Sequence, residues 1–203
     1  MFAQMNLFQQ PSRLPAGFLH QADFLSQREE VDLVRRVEAL PFKQFEFQGF
    51  LGKRRVVSFG WKYDFNDREL RRVDEIPDFL LPVRERAARI AQLPAPAFQQ
   101  VLLTEYQAGA SIGWHKDKAV FGEVIGISLL SACVFRFRKK TGGGWQRASL
   151  TMQPRSIYLL AGASRTEWEH SIPGVEALRY SITFRNFAAA ESDGKRNAGA
   201  TSA

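Results

Sequence analysis

With a single cysteine, Cys133, among 203 residues, this chain has no intramolecular disulfide, which fits a reducing compartment. Cys133 lies in the apolar run before Phe135 and is expected in the core rather than as a reactive thiol. Long hydrophobic runs are missing too. No stretch approaches the roughly 18 apolar residues of a membrane span, and Met1 to Leu19 carries no apolar run behind a basic segment. A cytoplasmic protein with no membrane attachment is expected. No internal repeat is visible. Acid is in short supply, with 21 Asp and Glu against 28 Lys and Arg, a net charge of +7. That excess favours a polyanionic partner through counterion release and steering, and charge alone fits a generally basic soluble protein just as well. The 45% hydrophobic content is enough for a core, in a length that suits one domain.

Ser26-Gln27-Arg28-Glu29 has capping-box spacing, and Val31, Val34, Val37 and Leu40 follow at helical intervals until Pro41. A helix is predicted over 26–40. A second is predicted between Pro77 and Pro94 from the stripe Phe79, Leu80, Val83, Ala87, Ile90 and Leu93, with Pro82 in or near its first turn. Between them, residues 44–65 are rich in aromatics and β-formers broken by Gly49, Gly52 and Gly60, the pattern of a hairpin-like insertion. From Gln99 onward, turn residues separate strand candidates at 99–106, 122–130, 133–138, 146–152, 156–160, 167–171 and 178–185. Many short strands imply a sandwich, barrel or jelly roll, so the fold class is mainly β within α+β. Residues 188–203 are small, polar and unpatterned, and are expected to form a disordered tail.

Strict alternation in Arg179-Tyr180-Ser181-Ile182-Thr183-Phe184-Arg185 puts Arg179, Ser181, Thr183 and Arg185 on one strand face and three apolar residues on the other. The polar wall therefore faces a cavity or solvent. Upstream lie His170 and the segment His115-Lys116-Asp117. His115 and Asp117, two apart, project from one face of an extended segment, and a distant His170 can complete a two-His, one-carboxylate set. Such a set leaves coordination positions open and suits non-haem Fe(II) that must bind a co-substrate and dioxygen together. Taken alone, the triad is equally readable as ordinary core or surface imidazoles. The two arginines lie six residues apart, roughly 20 Å along an extended strand. They can converge on the two ends of a dicarboxylate, which guanidinium forks grip bidentately. A solvated strand face is the alternative. Thr104 and Tyr106 share one face of the preceding strand and can add hydroxyls to the same pocket.

Taken in order, Thr104-Glu105-Tyr106, Gly113-Trp114-His115-Lys116-Asp117-Lys118, Ile125-Gly126-Ile127-Ser128-Leu129, His170 and Arg179 to Arg185 resemble the AlkB family of 2-oxoglutarate and Fe(II)-dependent oxygenases. The match spans roughly residues 99–187. It implies a double-stranded β-helix (jelly-roll) core over 99–187, preceded over 1–98 by two supporting helices and a nucleotide-recognition lid, in one domain of 1–187. It also implies Fe(II) on His115, Asp117 and His170, and 2-oxoglutarate on Arg179, Arg185 and Tyr106, with Thr104 and Ser181 beside them and dioxygen as oxidant. Thr104 and Ser181 stand where many members have Asn, so altered co-substrate contacts are expected. Ala119 stands where several members have an acid that contacts the target base.

For a substrate, Phe59, Trp61, Tyr63 and Phe65 alternate along one expected strand after Lys53-Arg54-Arg55. Aromatic faces stack on an exposed base while cations hold its phosphates, and a hairpin packed on the core is the alternative. Phe59, Trp61, Tyr63 and Arg55 are the expected substrate contacts, with further cations at Arg136, Arg138, Lys139 and Lys140. The resemblance implies a monomeric dioxygenase that demethylates N-alkylated bases such as 1-methyladenine and 3-methylcytosine in DNA or RNA, single-stranded or with the base flipped out. Formaldehyde, succinate and CO2 are released. The alternatives are an oxygenase acting on a protein or small molecule, and a non-catalytic basic nucleic-acid-binding module.

Overall fold

The structure is a computed structural model that describes residues 14–47, 50–64, 67 and 69–189. Strand β1 (Phe18–Gln21) and helix α1 (Gln27–Glu38) come first, followed by the hairpin β2 (Lys43–Phe47) and β3 (Phe50–Phe59), the short ribbon β4 (Trp61–Tyr63) and β5 (Leu70–Arg72), and α2 (Leu81–Ile90). The remainder is β6 (Gln100–Tyr106), β7 (Ile112–His115), β8 (Phe121–Leu129), β9 (Cys133–Thr141), β10 (Gly144–Met152), β11 (Ile157–Leu160), α3 (Gly162–Thr166), β12 (Glu169–Ile172) and β13 (Arg179–Phe187). A seven-stranded major sheet has the order β1-β11-β8-β13-β6-β3-β2, and a four-stranded minor sheet the order β10-β9-β12-β7. Among the described residues no helix is long and apolar enough to cross a membrane.

The helices form where their caps allow. Ser26 accepts from the Glu29 amide while the Glu29 carboxylate accepts from the Ser26 amide, completing the capping box. α1 buries Leu33, Val34 and Val37, whereas Val31, expected on the same stripe, is 62% exposed. The inward position next to it is Glu30, whose carboxylate accepts from the Leu130 amide at 2.9 Å. Pro82 falls at the start of α2, where its missing N–H costs nothing, and a short 3-10 turn over Asp78–Leu80 precedes it. The second helix is therefore shorter than the stretch between Pro77 and Pro94.

Alternation along each strand sorts the major sheet into two faces. Val101, Leu103, Ile125, Ile127, Ile182 and Phe184 point towards the helices, where they pack with Val37, Leu80 and Ala87. The opposite face looks at the minor sheet across a second cluster that includes Phe18, Cys133, Phe135, Phe137, Met152 and Leu160. Cys133 is a buried free thiol, as the sequence suggests. The polar wall of β13 opens into this inter-sheet layer.

Residues 43–63 do form a hairpin and ribbon, but not one aromatic ladder. β3 pairs with β6, and Gly60 breaks the chain between β3 and β4 at φ +74, with its amide bonded to the Asp74 carbonyl. Phe59, 7% exposed, belongs to the helix-side core. Phe65 lies outside the described residues, as does the expected tail from residue 190.

Candidate metal centre

His115 and His170 are cross-strand neighbours on β7 and β12, with ring centroids 4.3 Å apart. Asp117, two residues beyond the end of β7, reaches from the minor sheet towards the major one. One donor atom from each of the three lies within 4.8 Å of the others. Each ligand is oriented from behind. His115 Nδ1 is 2.9 Å from the Gly113 carbonyl, leaving Nε2 for the centre, and the His170 ring stacks on Phe135. Asp117 Oδ1 accepts from Arg185 Nε at 3.0 Å, while its Oδ2 is buried without a hydrogen bond among the described residues, 3.5 Å from His170 Nε2.

Electrostatics fits a cation in that place. Burial pushes the His170 pKa down to about 3, against the pull of Asp117, so at neutral pH the ring is uncharged and keeps a lone pair. Burial pulls Asp117 the other way, and is outweighed by the Arg185 guanidinium first and then by the histidines and Arg165, which hold its carboxyl well below the usual range. A carboxylate with an orphaned oxygen beside two imidazoles is a donor set for a divalent metal with open positions.

Beside it lies a polar floor built by four adjacent strands, β8, β13, β6 and β3. Cross-strand register aligns Thr104, Ser181 and Ser128 in one row, and Arg54, Tyr106 and Arg179 in the next. Arg179 is 1% exposed, donates through Nε to Ser128 Oγ at 3.1 Å, and has its guanidinium 4.9 Å from the Tyr106 ring centre. Its Nη1 is buried with no hydrogen-bond partner among the described residues. Arg185 completes the other end, bonded to Asp117 and to Gln100 Oε1 at 3.0 Å. Thus His115, Asp117, His170, Thr104, Tyr106, Arg179, Ser181 and Arg185, all anticipated from strand faces, line one pocket.

The expected substrate contacts divide. Trp61 packs edge-on against Phe187, and the Tyr63 ring lies 5.3 Å from Lys118 Nζ, so β4 sits beside the segment that follows Asp117 and the end of β13. Arg55 and Phe59 do not join them. Arg55 pairs with Glu105 through two bonds of 2.7 and 2.6 Å, and both it and Phe59 point to the helix side of the sheet. Parity is the reason, because a one-residue offset moves a side chain to the opposite face. Arg54 is the cation of that run on the Tyr106 side, donating to the Ser111 carbonyl.

Two further residues were missed. Arg165, buried on α3, donates to the carbonyls of Lys118, Phe121 and Gly122 and so ties down the loop after Asp117, which Lys116 also anchors through the Thr166 carbonyl. A lone arginine in a turn gives no sequence signal for that. Tyr158 enters the pocket from β11, and burial raises its phenol pKa well above the ordinary range. Its signal was Gly126, a glycine within a strand, which marks a close approach.

Comparison with known proteins agrees with this geometry. The profile of the 2OG-Fe(II) oxygenase superfamily matches residues 17–185. The chain is similar to the Alkylated DNA repair protein ALKBH8 homolog of Arabidopsis thaliana, 26% identical over 193 residues that cover 83% of this chain and 54% of the plant protein. It therefore spans about half the length of that relative. It is also similar to the human alpha-ketoglutarate-dependent dioxygenase alkB homolog 4, 26% identical over 210 residues, covering 86% of this chain and 68% of the other. Among solved structures, OsALKBH1 superposes with a TM-score of 0.68 at 17% identity, covering 84% of this chain and 96% of that one, a likeness of fold.

Proposed function

Since the chain belongs to the 2OG-Fe(II) oxygenase superfamily, we propose that this dioxygenase oxidatively demethylates N-alkylated bases in DNA or RNA. In this reading His115, Asp117 and His170 hold Fe(II), and Arg179, Arg185, Tyr106, Thr104 and Ser181 hold 2-oxoglutarate. When bound, the iron supplies oxidation of a C–H bond by O2 coupled to decarboxylation of the 2-oxo acid. The balance is 2-oxoglutarate, O2 and an N-methyl base going to succinate, CO2 and an N-hydroxymethyl base, which releases formaldehyde and the free amine.

The observation that carries the reading is the pair of orphaned polar atoms in one pocket, Asp117 Oδ2 for a cation and Arg179 Nη1 for a carboxylate. Arg185 joins the two sites, since its guanidinium holds Asp117 in position and lies on the co-substrate face. The inter-sheet aromatics wall the reacting centre with apolar surface, which disfavours water there. For the substrate, support comes from the net charge of +7 and from Trp61 and Tyr63 on β4. An exposed base can stack on those rings. The names of the relatives, one an alkylated DNA repair protein, point the same way. A single buried thiol supports action in a reducing compartment such as the cytoplasm.

The test is mass spectrometry of short single-stranded DNA and RNA carrying 1-methyladenine or 3-methylcytosine, incubated with protein, Fe(II), 2-oxoglutarate and air. Loss of one methyl group by wild type and not by His170→Ala is expected. Succinate formation with every oligonucleotide untouched would overturn the nucleic-acid part and redirect attention to a protein or small-molecule substrate. Trp61→Ala together with Tyr63→Ala should abolish demethylation and leave 2-oxoglutarate binding in place.

A further inference from the structure

Tyr158 is a polar side chain of the pocket to which the proposed function gives no role. It is 9% exposed and lines the same pocket as Asp117, Tyr106, Arg179 and Arg185. Its hydroxyl has no hydrogen-bond partner among the described residues, whereas the other buried tyrosine of the major sheet outside the pocket, Tyr180, donates to Glu105 at 3.1 Å. That hydroxyl is therefore a donor and acceptor open to a ligand in the pocket.

The backbone is shaped to put it there. Tyr158 on β11 faces Gly126 on β8, and Gly126 faces Thr183 on β13. A Cβ at position 126 would lie 2.2 Å from the Tyr158 Cζ and 2.4 Å from its hydroxyl. The phenol end of the ring thus lies flat across β8 and extends towards the polar wall of β13, in a notch that any side chain larger than hydrogen would fill. Phe135, 4.9 Å away between ring centres, and Phe18, at 6.1 Å, back the ring on its other sides. The ring lines the same pocket as Arg179 and Arg185, the two ends of the polar wall.

We propose that the Tyr158 hydroxyl is a hydrogen-bond donor to the bound 2-oxo dicarboxylate, with Gly126 as the notch that admits it. Tyr158 thereby fills a role that the hydroxyls of Thr104 and Ser181 share, and the inference rests on the co-substrate assignment made above. The phenol positions the 2-oxo acid through one oxygen-to-oxygen hydrogen bond and takes no part in metal binding.

The test separates this inference from the oxygenase reading by measuring binding without turnover. Wild type, Tyr158→Phe and Gly126→Ala are loaded with Mn(II), which does not turn over, and titrated with 2-oxoglutarate by calorimetry, after a Mn(II) titration of each protein alone. Tyr158→Phe keeps the ring and removes only the hydroxyl, so its fold should survive, as a thermal melt will check. The expected result is a 2-oxoglutarate Kd raised about 10- to 100-fold, the worth of one hydrogen bond to a charged group, with Mn(II) affinity unchanged. Gly126→Ala, which pushes the ring out of its notch, should show a similar loss. Failure of wild type to bind 2-oxoglutarate would overturn the co-substrate reading and this inference with it. Tight binding by wild type with a Tyr158→Phe Kd within twofold of it, or a Tyr158→Phe loss that follows weakened Mn(II) binding, would overturn the inference alone.

Discussion

Arg179 shows how much one side chain can state. Fully buried, it has among the described residues one side-chain hydrogen bond, to Ser128, and an aromatic ring beneath it, so its charge is incompletely compensated until an anion arrives. Lysine would keep the charge and lose the fork. Arg179→Lys should therefore raise the KM for 2-oxoglutarate about 10- to 100-fold with kcat changed far less, as succinate formation against 2-oxoglutarate concentration will show. A different residue pair governs acid stability. Glu105, 2% exposed, accepts from Arg55, Gln107 and Tyr180, and the Arg55 bonds dominate over burial in holding its pKa below the ordinary 4.5. A folded-state pKa below the unfolded value gives stability that is present above pH 4.5 and is lost as the pH falls through the lower, folded value. Arg55→Met should cost about 1–2 kcal/mol at pH 7, discounted because Arg55 is half exposed. The gap to wild type should narrow below pH 4.5 in urea unfolding series. Arg179 and Arg185 were legible from alternation alone, because period two fixes which residues share a face. Arg55 was misread for the same reason: period two does not say which face a hairpin strand turns to the site, and only its pairing with β6 settles that.

Elements, rather than residues, bring Asp117 to its place. The loop after it is held by α3, whose Arg165 bonds three of its carbonyls while Lys116 reaches the Thr166 carbonyl. Replacing Arg165 by Met leaves those carbonyls to water or to nothing. The expected cost is about 2–4 kcal/mol in denaturant, together with metal affinity lowered about tenfold, as seen when outer-shell partners are lost. A Mn(II) titration and a urea curve on the same variant check both. The capping box of α1 and the strands β6, β8, β9, β10, β11 and β13 were readable from local sequence within a few residues, since each carries its own periodicity and turn signals. β1, β7 and α3 were not. Neither β1 nor β7 carries an apolar run between turn signals of the kind that marks β11, and both owe their existence to pairing with a distant strand, β1 with β11 and β7 with β12. Residues 44–65 were readable as hairpin-like, but the bend at Gly60 was read as a mere interruption. Its positive φ turns β4 away from the line of β3, and a Cβ there would lie 2.0 Å from the Gln99 carbonyl oxygen. Gly60 is what sends Trp61 towards Phe187 and leaves Phe59 in the core.

Across the whole molecule, the net charge of +7 does not say which cations are free to meet phosphate. Arg138 is paired with Glu169 and stacked on Trp114 and Trp145, at 4.6 and 4.4 Å from the ring centres, and Lys139 is paired with Glu167. On the β4–β5 ribbon and after it, Arg71 is held by Asp67 and Arg72 by Glu75. Of the basic runs that stand out in the sequence, Arg55, Arg138 and Lys139 are thus compensated by nearby acids, which composition does not show. The exposed Lys140 and Arg147 are cross-strand neighbours of Trp145 and Arg138 on the same minor-sheet face. A strand bound by few uncompensated cations releases few counterions. With about three phosphates neutralised and a slope near −0.7 per phosphate for single strands, raising salt from 50 to 200 mM should weaken oligonucleotide binding about 20-fold. Fluorescence anisotropy of a labelled single strand across that range measures the slope directly. A slope steeper than about −4 would mean that the paired cations exchange their carboxylates for phosphate, and a flat response would remove the electrostatic case for a nucleic-acid partner. Over the same range the 2-oxoglutarate Kd should move far less, because Arg179 and Arg185 act inside a closed inter-sheet layer where bulk ions screen weakly.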